Sequence, residues 1–468
     1  MQYISTRGNA PVLGFEDTLL AGLARDGGLY VPERFPRLET AEIRAMRGLP
    51  YEDVAFRVMQ PFIGDAFTDD AFRAMIARAY AGIPHPAKAP LLQIGANEWI
   101  LELHHGPTLA FKDFAMLLVA QMFEHVLKRR GRRVTIVGAT SGDTGSAAIE
   151  AFRGIDRVEI AILYPHGRVS AVQRRQMTTP VEGNVHALAV EGTFDDCQAL
   201  VKAMFNDHTF RDEMNLGAVN SINWGRVLAQ VVYYFFSAVA LGAPDRAIRY
   251  SVPTGNFGDI LAGDVARRMG LPIDGLVIAT NENDILHRTL ATGLGAPEGV
   301  VPTVAPSMDI QVSSNFERLL FELYGRDAVA VATAMAEQKA GQALTLPQGA
   351  LDALREGFAS ARVGRAETLA TIGQVRKETG QVIDPHTAIG VHAAAACRGD
   401  GAVPMVTLAT AHAAKFPDAV EEACGVRPGL PAHMGDLMER EERLTRVAND
   451  LATVEALIRD RCAAGATA

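Results

Sequence analysis

Lys112 is the residue of this sequence whose type and position best suit covalent chemistry. A turn predicted at Gly106-Pro107-Thr108 precedes it, and an apolar helical pattern begins at Phe111. Lys112 therefore falls in the first turn of a helix, where the helix dipole disfavours a cation and helps to lower the pKa of the amine. A neutral amine is the form of lysine that forms Schiff bases with carbonyl groups. The alternative interpretation is a solvated lysine that pairs with its neighbour Asp113.

A second candidate segment is a loop of small polar residues between a predicted strand and a predicted helix. It contains Thr140, Ser141, Gly142, Asp143 and Thr144. Backbone amides and hydroxyls in such a loop could hold a carboxylate or a phosphate. The spacing is not that of a Walker A loop, and no lysine follows it. The structural alternative is a tight connection whose polar side chains only cap the helix.

A third candidate segment also joins a predicted strand to a predicted helix, and it consists of Gly255, Asn256, Phe257, Gly258 and Asp259. Its two glycines permit positive φ and a close approach of the backbone to a phosphate. The third glycine of the dinucleotide fingerprint is absent, which argues against a nucleotide-binding enzyme. Asp259 is an unfavourable neighbour for a phosphate and could cap its own helix. A simple strand-to-helix turn is the alternative here as well.

The segments that must position these loops alternate between short apolar strands and helices. The first series has predicted strands at residues 133–138, 158–164 and 184–190, and predicted helices at residues 145–152, 169–177 and 194–205. A second series runs from residue 248 to residue 280. This alternation predicts parallel sheets covered on both faces, with ligands at the carboxyl ends of the strands.

Four further segments complete the prediction. They are a hairpin at residues 91–103, a long apolar helix at residues 220–242, a helical stretch at residues 327–379, and a strand at residues 403–409 that leads into a helix at residues 415–424.

Length, charge and residue types exclude several classes of protein. A chain of 468 residues predicts two or three domains. The net charge of −9 disfavours a nucleic-acid partner. We find neither a signal-peptide pattern nor an apolar run of about 20 residues, so we expect a cytoplasmic protein with no membrane partner. The cysteines are widely spaced, and His386, His392, Cys397 and His412 match no zinc pattern, so we predict no metal site.

The candidate segments together resemble those of threonine synthases, which belong to the tryptophan-synthase-β group (fold type II) of pyridoxal-phosphate enzymes. The segment that contains Gly106-Pro107-Thr108 and Lys112 carries the resemblance most strongly. It extends along nearly the whole chain, through residues 26–30, 140–145, 220–224, 254–259, 308–318, 384–388 and 410–416. The resemblance is closest to the branch with a longer N-terminal region. Ala413 stands where the family often has proline, and we expect little effect from that change.

The resemblance implies a fold, a cofactor and a reaction. The fold is α/β, with two doubly wound parallel-sheet domains and an N-terminal helical and loop-rich extension. We expect the extension at residues 1–95, a smaller domain with the substrate loop at residues 96–242, and a larger domain with the cofactor phosphate loop at residues 243–468. The cofactor is pyridoxal 5'-phosphate. The reaction converts O-phospho-L-homoserine and water to L-threonine and phosphate by β,γ-elimination and replacement. The chain would act as a monomer or a homodimer.

The resemblance also implies roles for single residues around the cofactor. Lys112 forms the Schiff base and then moves protons at Cα and Cβ of the substrate. Thr410 faces the pyridine nitrogen, where a hydroxyl suits an unprotonated ring. The cofactor phosphate is bound by the loop of Gly255, Asn256, Phe257, Gly258 and Asp259, mainly through backbone amides.

Other residues are implied to bind the substrate. The substrate carboxylate lies near Thr140, Ser141, Gly142, Asp143 and Thr144. Because an ionised Asp143 would repel that carboxylate, we expect its side chain to turn away or to accept bonds from backbone amides. The substrate phosphate needs basic or hydroxyl partners, for which the candidates are Ser221, Asn223, Arg226 and Lys415, with Arg318 as a weaker one.

Two other functions stay open at this point. A serine or threonine dehydratase, or another β-replacement enzyme of the same fold, would also use Lys112. The run at residues 220–223 and the long N-terminal region argue against it. A non-catalytic homologue that binds phosphorylated metabolites is the second possibility, and the retention of Lys112 and both glycine loops argues against that one.

Overall fold

The structure, a computed structural model, describes residues 1–218 and 220–463 of the chain. Its first 81 residues contain four helices and two short strands. They form β1 (Tyr3–Ser5), α1 (Phe15–Ala21), β2 (Tyr30–Pro32), α2 (Thr40–Arg44), α3 (Tyr51–Ile63) and α4 (Asp69–Ala81), with β1 and β2 antiparallel. Val54, Val58 and Phe62 recur every four residues along one face of α3 and are fully buried. They belong to the main hydrophobic core, so this extension packs against the rest of the protein.

A hairpin and a long helix follow the extension. They are β3 (Leu91–Gly95), β4 (Glu98–Glu102) and α5 (Lys112–Arg130). The hairpin confirms the prediction for residues 91–103, and α5 begins at Lys112, one residue after the start that the helical pattern predicted. Gly131 ends α5 in the left-handed conformation, with φ of 63°. Lys128, Arg129 and Arg130 occupy its last turn, where the helix dipole favours cations.

The next part of the chain alternates between strands and helices. Its elements are β5 (Val134–Ala139), α6 (Asp143–Phe152), β6 (Val158–Pro165), α7 (Ala171–Thr178), β7 (Val185–Val190), α8 (Phe194–Asn206), α9 (His208–Glu213) and β8 (Leu216–Gly217). The predicted strands and helices of this series lie within two residues of the observed ones. Every residue of β6 is buried, as expected for a strand that is covered on both faces of a parallel sheet.

The remaining elements begin with the central helix of the second half. They are α10 (Trp224–Ala240), β9 (Ile248–Pro253), α11 (Gly258–Arg268), β10 (Ile273–Thr280), α12 (Ile285–Thr292), β11 (Leu294–Gly295), α13 (Phe316–Leu323), α14 (Ala328–Lys339), β12 (Leu344–Thr345), α15 (Gln348–Gly357), β13 (Phe358–Arg362), α16 (Arg365–Thr379), α17 (Pro385–Ala396), β14 (Met405–Ala409), α18 (Pro417–Cys424), β15 (Thr445–Val447) and α19 (Leu451–Ala463). Short 3₁₀ helices lie at Pro306–Met308, Ala413–Lys415 and Ala432–Met434.

Two larger sheets organise these elements. The six-stranded sheet has the order β13-β10-β9-β14-β4-β3 and is parallel except for the β3–β4 hairpin at its edge. The five-stranded sheet has the order β15-β7-β6-β5-β8 and is parallel throughout. The predicted α/β class with two parallel-sheet domains is therefore confirmed.

The sheets divide the chain differently from the boundaries predicted at residues 95 and 242. β4, which was assigned to the smaller domain, pairs with β14 in the six-stranded sheet. β15, which was assigned to the larger domain, pairs with β7 in the five-stranded sheet. Both pairings join strands that are far apart in sequence, so the local pattern of apolar residues carries no signal for them. The end of the predicted third domain, residues 464–468, lies outside the described residues.

Three predicted elements need correction. The helix predicted at residues 220–242 begins only at Trp224, because Asn223 caps it with its side chain. The stretch predicted as helical at residues 327–379 contains the strands β12 and β13. β13 escapes a pattern search because, apart from Phe358, its residues are small or polar and mostly half-buried. The helix predicted from residue 415 begins at Pro417. Within the described ranges, no helix has the length and apolar character that crossing a membrane requires.

Candidate active site

The segment that leads to Lys112 is joined to the segment that follows β14. β4 and β14 are parallel neighbours, so the segments that follow them leave the sheet at the same edge. The Phe111 N–H donates to the Thr410 carbonyl at 2.9 Å, and the His412 N–H donates to the Leu109 carbonyl at 3.0 Å. Leu109 has a φ of 59°, which turns the chain into α5. These contacts bring Thr410 next to the start of the Lys112 helix.

The Lys112 amine is buried and lies close to one carboxylate. Its Nζ is 3.4 Å from Oδ2 of Asp143, and the residue is only 9% exposed. Burial lowers the pKa of Lys112; the Asp143 carboxylate opposes this shift, whereas the positive charges of Lys415 and Arg226 add to it. The amine is thus placed among charged groups that decide whether it carries a proton.

Asp113 does not pair with Lys112, so the solvated pair considered for the sequence is wrong. The Asp113 carboxylate accepts from the Thr108 N–H at 2.9 Å and from the Thr108 hydroxyl at 2.5 Å. Burial raises its pKa to about 7, although the bonds from Thr108 act in the opposite direction. Its role is to close the turn that precedes α5.

Asp143 stands at the centre of the site, at the first position of α6. Its Oδ1 is 2.6 Å from Nζ of Lys415 and accepts from Nε2 of Gln173 at 2.8 Å. Its Oδ2 accepts from the Ser307 hydroxyl at 3.0 Å. Burial opposes ionisation, but Lys415 and Lys112 hold the pKa of Asp143 well below its usual value. The expectation that this side chain turns away or bonds backbone amides is therefore wrong, because two buried lysines need its charge.

Lys415 is the second lysine of this group and is completely buried. Besides its ion pair with Asp143, it donates to the Thr108 carbonyl at 2.8 Å. It therefore connects the loop after β14 with the turn before α5. The structure brings Lys415, Asp143 and Lys112 together although they lie on three separate segments of the chain.

The loop before α6 is shaped by the Thr140 hydroxyl, which accepts from the N–H groups of Gly142 and Gly145 at 2.9 Å each. Gly142 has a φ of 143°, and a Cβ there would lie 2.4 Å from the Gln173 side chain. Among the described residues, the N–H groups of Ser141, Asp143 and Thr144 donate no hydrogen bond. These amides at the start of a ten-residue helix are suited to a carboxylate.

The loop before α11 has the same character. Its carbonyls are bound, since Gly255 O accepts from the Ser313 hydroxyl at 2.6 Å and Asn256 O accepts from Asn315 N at 3.1 Å. Its N–H groups at Gly255, Asn256 and Phe257 donate no hydrogen bond within the described part of the chain. A Cβ on Gly255 would lie 2.7 Å from the Ser307 carbonyl, so only glycine fits.

Phe257 holds this loop in place. It adopts the left-handed conformation, with φ of 62°, directly before Gly258 begins α11. Its buried ring packs edge-on against Phe316, with the ring centroids 5.3 Å apart. The loop forms a cradle of amides at a helix start, which fits a phosphate group.

Asp259 directs its side chain away from that cradle. Its Oδ1 accepts from the hydroxyls of Tyr233 at 2.5 Å and Tyr234 at 3.1 Å, both on α10. Burial raises the pKa of Asp259 to about 7. The suggestion that Asp259 caps its own helix is wrong, because the carboxylate bonds to the neighbouring helix instead. Its negative charge is thereby kept apart from the phosphate cradle.

The residues predicted to bind the substrate phosphate differ in their burial and in their hydrogen-bond partners. Arg226 is buried in the first turn of α10, and burial lowers its pKa to about 10. Asn223 uses its side chain for the start of the helix, accepting from Gly225 N at 2.9 Å and donating to Leu19 O at 2.8 Å. The side-chain amide of Asn223 is therefore occupied by hydrogen bonds that hold the start of α10 in place. Ser221 is half-buried, and its carbonyl accepts from Asn315 Nδ2 at 3.0 Å.

Arg318, the weaker candidate, has a structural position. Its guanidinium donates to the carbonyls of Tyr30 at 3.0 Å and Ile222 at 2.6 Å, and to the side chain of Asn315. It fixes the segment before α10 to the N-terminal extension. Asn315 in turn bonds both Ser221 and Asn256, so the substrate segment and the cofactor loop share one support.

Sequence reasoning missed two polar residues that contact Asp143, namely Ser307 and Gln173. The Ser307 N–H donates to Nε2 of His386 at 3.3 Å, and Nδ1 of His386 lies 2.7 Å from the Asp384 carboxylate. Both ring nitrogens of His386 are thus engaged in hydrogen bonds, and the residue orients the Ser307 segment. Ser307 directly precedes the segment at residues 308–318, so extending that motif by one residue would have found it. Gln173 lies on α7, and no feature of its neighbours in sequence singles it out.

Comparison with known proteins identifies the family of the chain. The family described as "Threonine synthase N terminus" matches residues 2–80, "Pyridoxal-phosphate dependent enzyme" matches residues 83–346, and "Threonine synthase, C-terminal" matches residues 387–458. A threonine synthase from Pseudomonas aeruginosa is 55% identical over 98% of this chain and 98% of its own length. The chain belongs to the threonine synthase family. The predicted family, fold type II and pyridoxal-phosphate cofactor are thereby confirmed.

Solved structures of threonine synthases superpose over nearly the full length. The pyridoxal-phosphate-bound threonine synthase from Brucella melitensis has a TM-score of 0.96 and 57% identity, covering 99% of both chains. The threonine synthase from yeast has a TM-score of 0.93 and 39% identity, again covering 99% of both chains. The extension and the two sheets are therefore shared with these two enzymes.

Proposed function

We propose that this chain converts O-phospho-L-homoserine and water to L-threonine and phosphate, with Lys112 holding pyridoxal phosphate and transferring protons. The observation that carries the proposal is the buried Lys112 amine, which lies beside Asp143 and Lys415 and near two loops with available backbone amides. Relatives named threonine synthase share more than half of its residues over nearly the whole length.

The cofactor would be held at two points besides Lys112. The amides of Gly255, Asn256 and Phe257 at the start of α11 would bind its phosphate, and the Thr410 hydroxyl would face its ring nitrogen. When bound, pyridoxal phosphate withdraws electrons from the carbon atoms of an amino acid. The fit is supported by the cradle at Gly255, which a side chain would fill.

The substrate carries a carboxylate and a phosphate, and the site offers positive groups for both. The amides of Ser141, Asp143 and Thr144 would bind the carboxylate at the start of α6. Arg226 and Lys415 would attract the phosphate, with Ser221 at the edge of the site. Lys112 and Lys415 place two positive charges beside the carboxylate of Asp143, which favours an anionic ligand.

Proton transfer follows from the environment of Lys112. Burial and the neighbouring cations lower its pKa, which favours the neutral amine, the form that can accept a proton from Cα. Once protonated, the amine is stabilised by Asp143 and can return the proton at another carbon. Asp143 would therefore position and stabilise Lys112, while Lys415 keeps Asp143 ionised.

We also propose a cytoplasmic enzyme that acts as a monomer or a homodimer on a small-molecule substrate, with neither nucleic acid nor membrane as partner. The four cysteines are free, which is usual for proteins of a reducing compartment.

The test is a product analysis with purified protein and pyridoxal phosphate. O-phospho-L-homoserine should release one phosphate for each threonine formed, and Lys112→Ala should form neither. Production of 2-oxobutyrate or pyruvate from threonine or serine, with no phosphate release from O-phospho-L-homoserine, would assign the protein to the dehydratases instead. Binding of O-phospho-L-homoserine without turnover would favour the non-catalytic homologue.

A further inference from the structure

A pocket lined by histidines contains none of the residues assigned to the proposed reaction. Its volume is about 590 Å³, and it is bordered by the end of β4, the segment after β14, and the residues before α17. The titratable residues along its wall are His85, Glu102, His104, His105, Asp384 and His412, with His433 at its rim. Neither the proposed cofactor nor the proposed substrate accounts for this concentration of imidazoles.

Three of these side chains have the arrangement of metal ligands. Potential ligand atoms of Glu102, His104 and His105 all lie within 4.8 Å of one another. Nε2 of His105 is 2.8 Å from Oε2 of Glu102, and the rings of His104 and His105 have centroids 4.9 Å apart. Tetrahedral zinc with bonds of about 2.1 Å holds its ligand atoms about 3.4 Å apart. Closure onto an ion therefore needs side-chain movements on the order of 1 Å, and Glu102 and His105 are each about a quarter exposed.

The protonation of the cluster also suits a cation. Burial, with the neighbouring His412 and His105, lowers the pKa of His104 to about 4, so its ring is neutral at physiological pH. Burial opposes ionisation of Glu102, but the hydrogen bond from His105 and the nearby histidines lower its pKa below the usual value. Neutral imidazole and ionised carboxylate are the states that ligate metals.

Two neighbouring histidines are excluded as ligands by their hydrogen bonds. Nδ1 of His412 accepts from Ala414 N at 3.1 Å, and Nδ1 of His85 accepts from Ala87 N at 3.2 Å. In a neutral ring whose Nδ1 accepts a bond, the proton lies on Nε2, which then has no lone pair to offer. Nδ1 of His104, by contrast, is buried and has no hydrogen-bond partner within the described part of the chain.

We propose that Glu102, His104 and His105 bind a divalent transition-metal ion of the zinc class. Two imidazoles and one carboxylate favour Zn²⁺, Co²⁺ or Ni²⁺ over Mg²⁺ and Ca²⁺, which prefer all-oxygen sites. The ion replaces the hydrogen bond between Glu102 and His105, and His105 moves its proton to the other ring nitrogen. A metal there would tie the end of β4 to the segment that leads into Lys112.

The prediction of no metal site rests on the spacings of His386, His392, Cys397 and His412, which match no zinc pattern. None of these belongs to the groups of ligand-forming residues in the described chain. The second such group, Glu159, His186 and Cys462, is a weaker candidate, since burial raises the pKa of the Cys462 thiol to about 12 and disfavours the thiolate.

The test is titration of the metal-free holoenzyme with Zn²⁺ by calorimetry, and with Co²⁺ by visible absorption outside the cofactor bands. We expect one ion per chain with a Kd of about 10 µM or tighter. His104→Phe, which keeps the ring packing, and Glu102→Gln, which keeps the shape, should each weaken binding at least tenfold. His85→Gln and His433→Gln are matched controls from the same pocket and should change the Kd less than threefold.

Each variant is checked for an unchanged melting temperature and an unchanged cofactor spectrum, so that a loss of affinity reports on the ligands. The absence of stoichiometric binding in the wild type would overturn the proposal. So would an unchanged Kd in both His104→Phe and Glu102→Gln. Loss of binding in Cys462→Ser alone would place the ion in the second group and likewise overturn the assignment.

Discussion

Replacing Asp143 by asparagine should change the protonation of Lys112 in a direction that can be measured. Asp143 is the only carboxylate among the described residues that pairs with the Lys112 amine. At 3.4 Å, its attraction for the protonated amine amounts to about 5 kcal/mol if the effective dielectric constant is about 20. Lys415, which is only 2.6 Å from the same carboxylate, neutralises much of this attraction.

The neutral fraction of Lys112 should therefore rise in the Asp143→Asn variant. Loss of only about 1.4 kcal/mol from the protonated state corresponds to a tenfold larger neutral fraction below the pKa. The sign follows from the cause: Asp143 raises the pKa of Lys112, so its removal moves the pKa downward.

The assay is the rate at which the apoenzyme recombines with pyridoxal phosphate, measured by stopped-flow absorbance across pH. Only a neutral amine attacks the aldehyde, so on the acid side the variant should recombine at least tenfold faster. Asp113→Asn is the matched control, because Asp113 bonds to Thr108 and not to Lys112. A profile that stays in place, or moves to higher pH, in Asp143→Asn would refute the reasoning.

Further variants test the other parts of the site. Gly255→Ala should weaken pyridoxal-phosphate binding at least tenfold in an absorbance titration, since its Cβ would meet the Ser307 carbonyl at 2.7 Å; unchanged affinity would contradict the phosphate cradle. Arg226→Gln should raise the KM for O-phospho-L-homoserine at least tenfold while the bound cofactor is unchanged, and a normal KM would remove Arg226 from the phosphate site. Asp259→Asn should have a higher melting temperature than the wild type at pH 8 but not at pH 4, because burial raises the pKa of Asp259 to about 7. The cost of burying its ionised carboxylate is absent below the pKa of the unfolded chain and grows as the pH rises towards the pKa of the folded protein. Equal differences at both pH values would contradict this.

The sequence was sufficient to predict the parts of the fold that depend on local patterns. The alternation of apolar strands and helices identified β5 to β7 with their helices, and the helical pattern from Phe111 located the start of α5 to within one residue. The pairing of β4 with β14, and of β15 with β7, joins distant segments and lies beyond such patterns.

The site was predictable where residues act through their backbone and less so where long side chains meet. The glycine loops at Gly142 and Gly255 were identified, because close approach of the backbone requires their residue types. Asp143 was placed incorrectly, since its partner Lys415 comes from a remote segment. Asn223 and Asp259 show the same limitation: their bonds to Leu19 and to the tyrosines of α10 are tertiary contacts.

Borohydride reduction of the holoenzyme, followed by peptide mapping, tests the central claim most directly. Reduction fixes the cofactor to the lysine that holds it, and Lys112 and Lys415 lie on opposite oxygens of the same carboxylate. We predict a single phosphopyridoxyl group on Lys112. The same group on Lys415, or on any other lysine, would contradict the assignment.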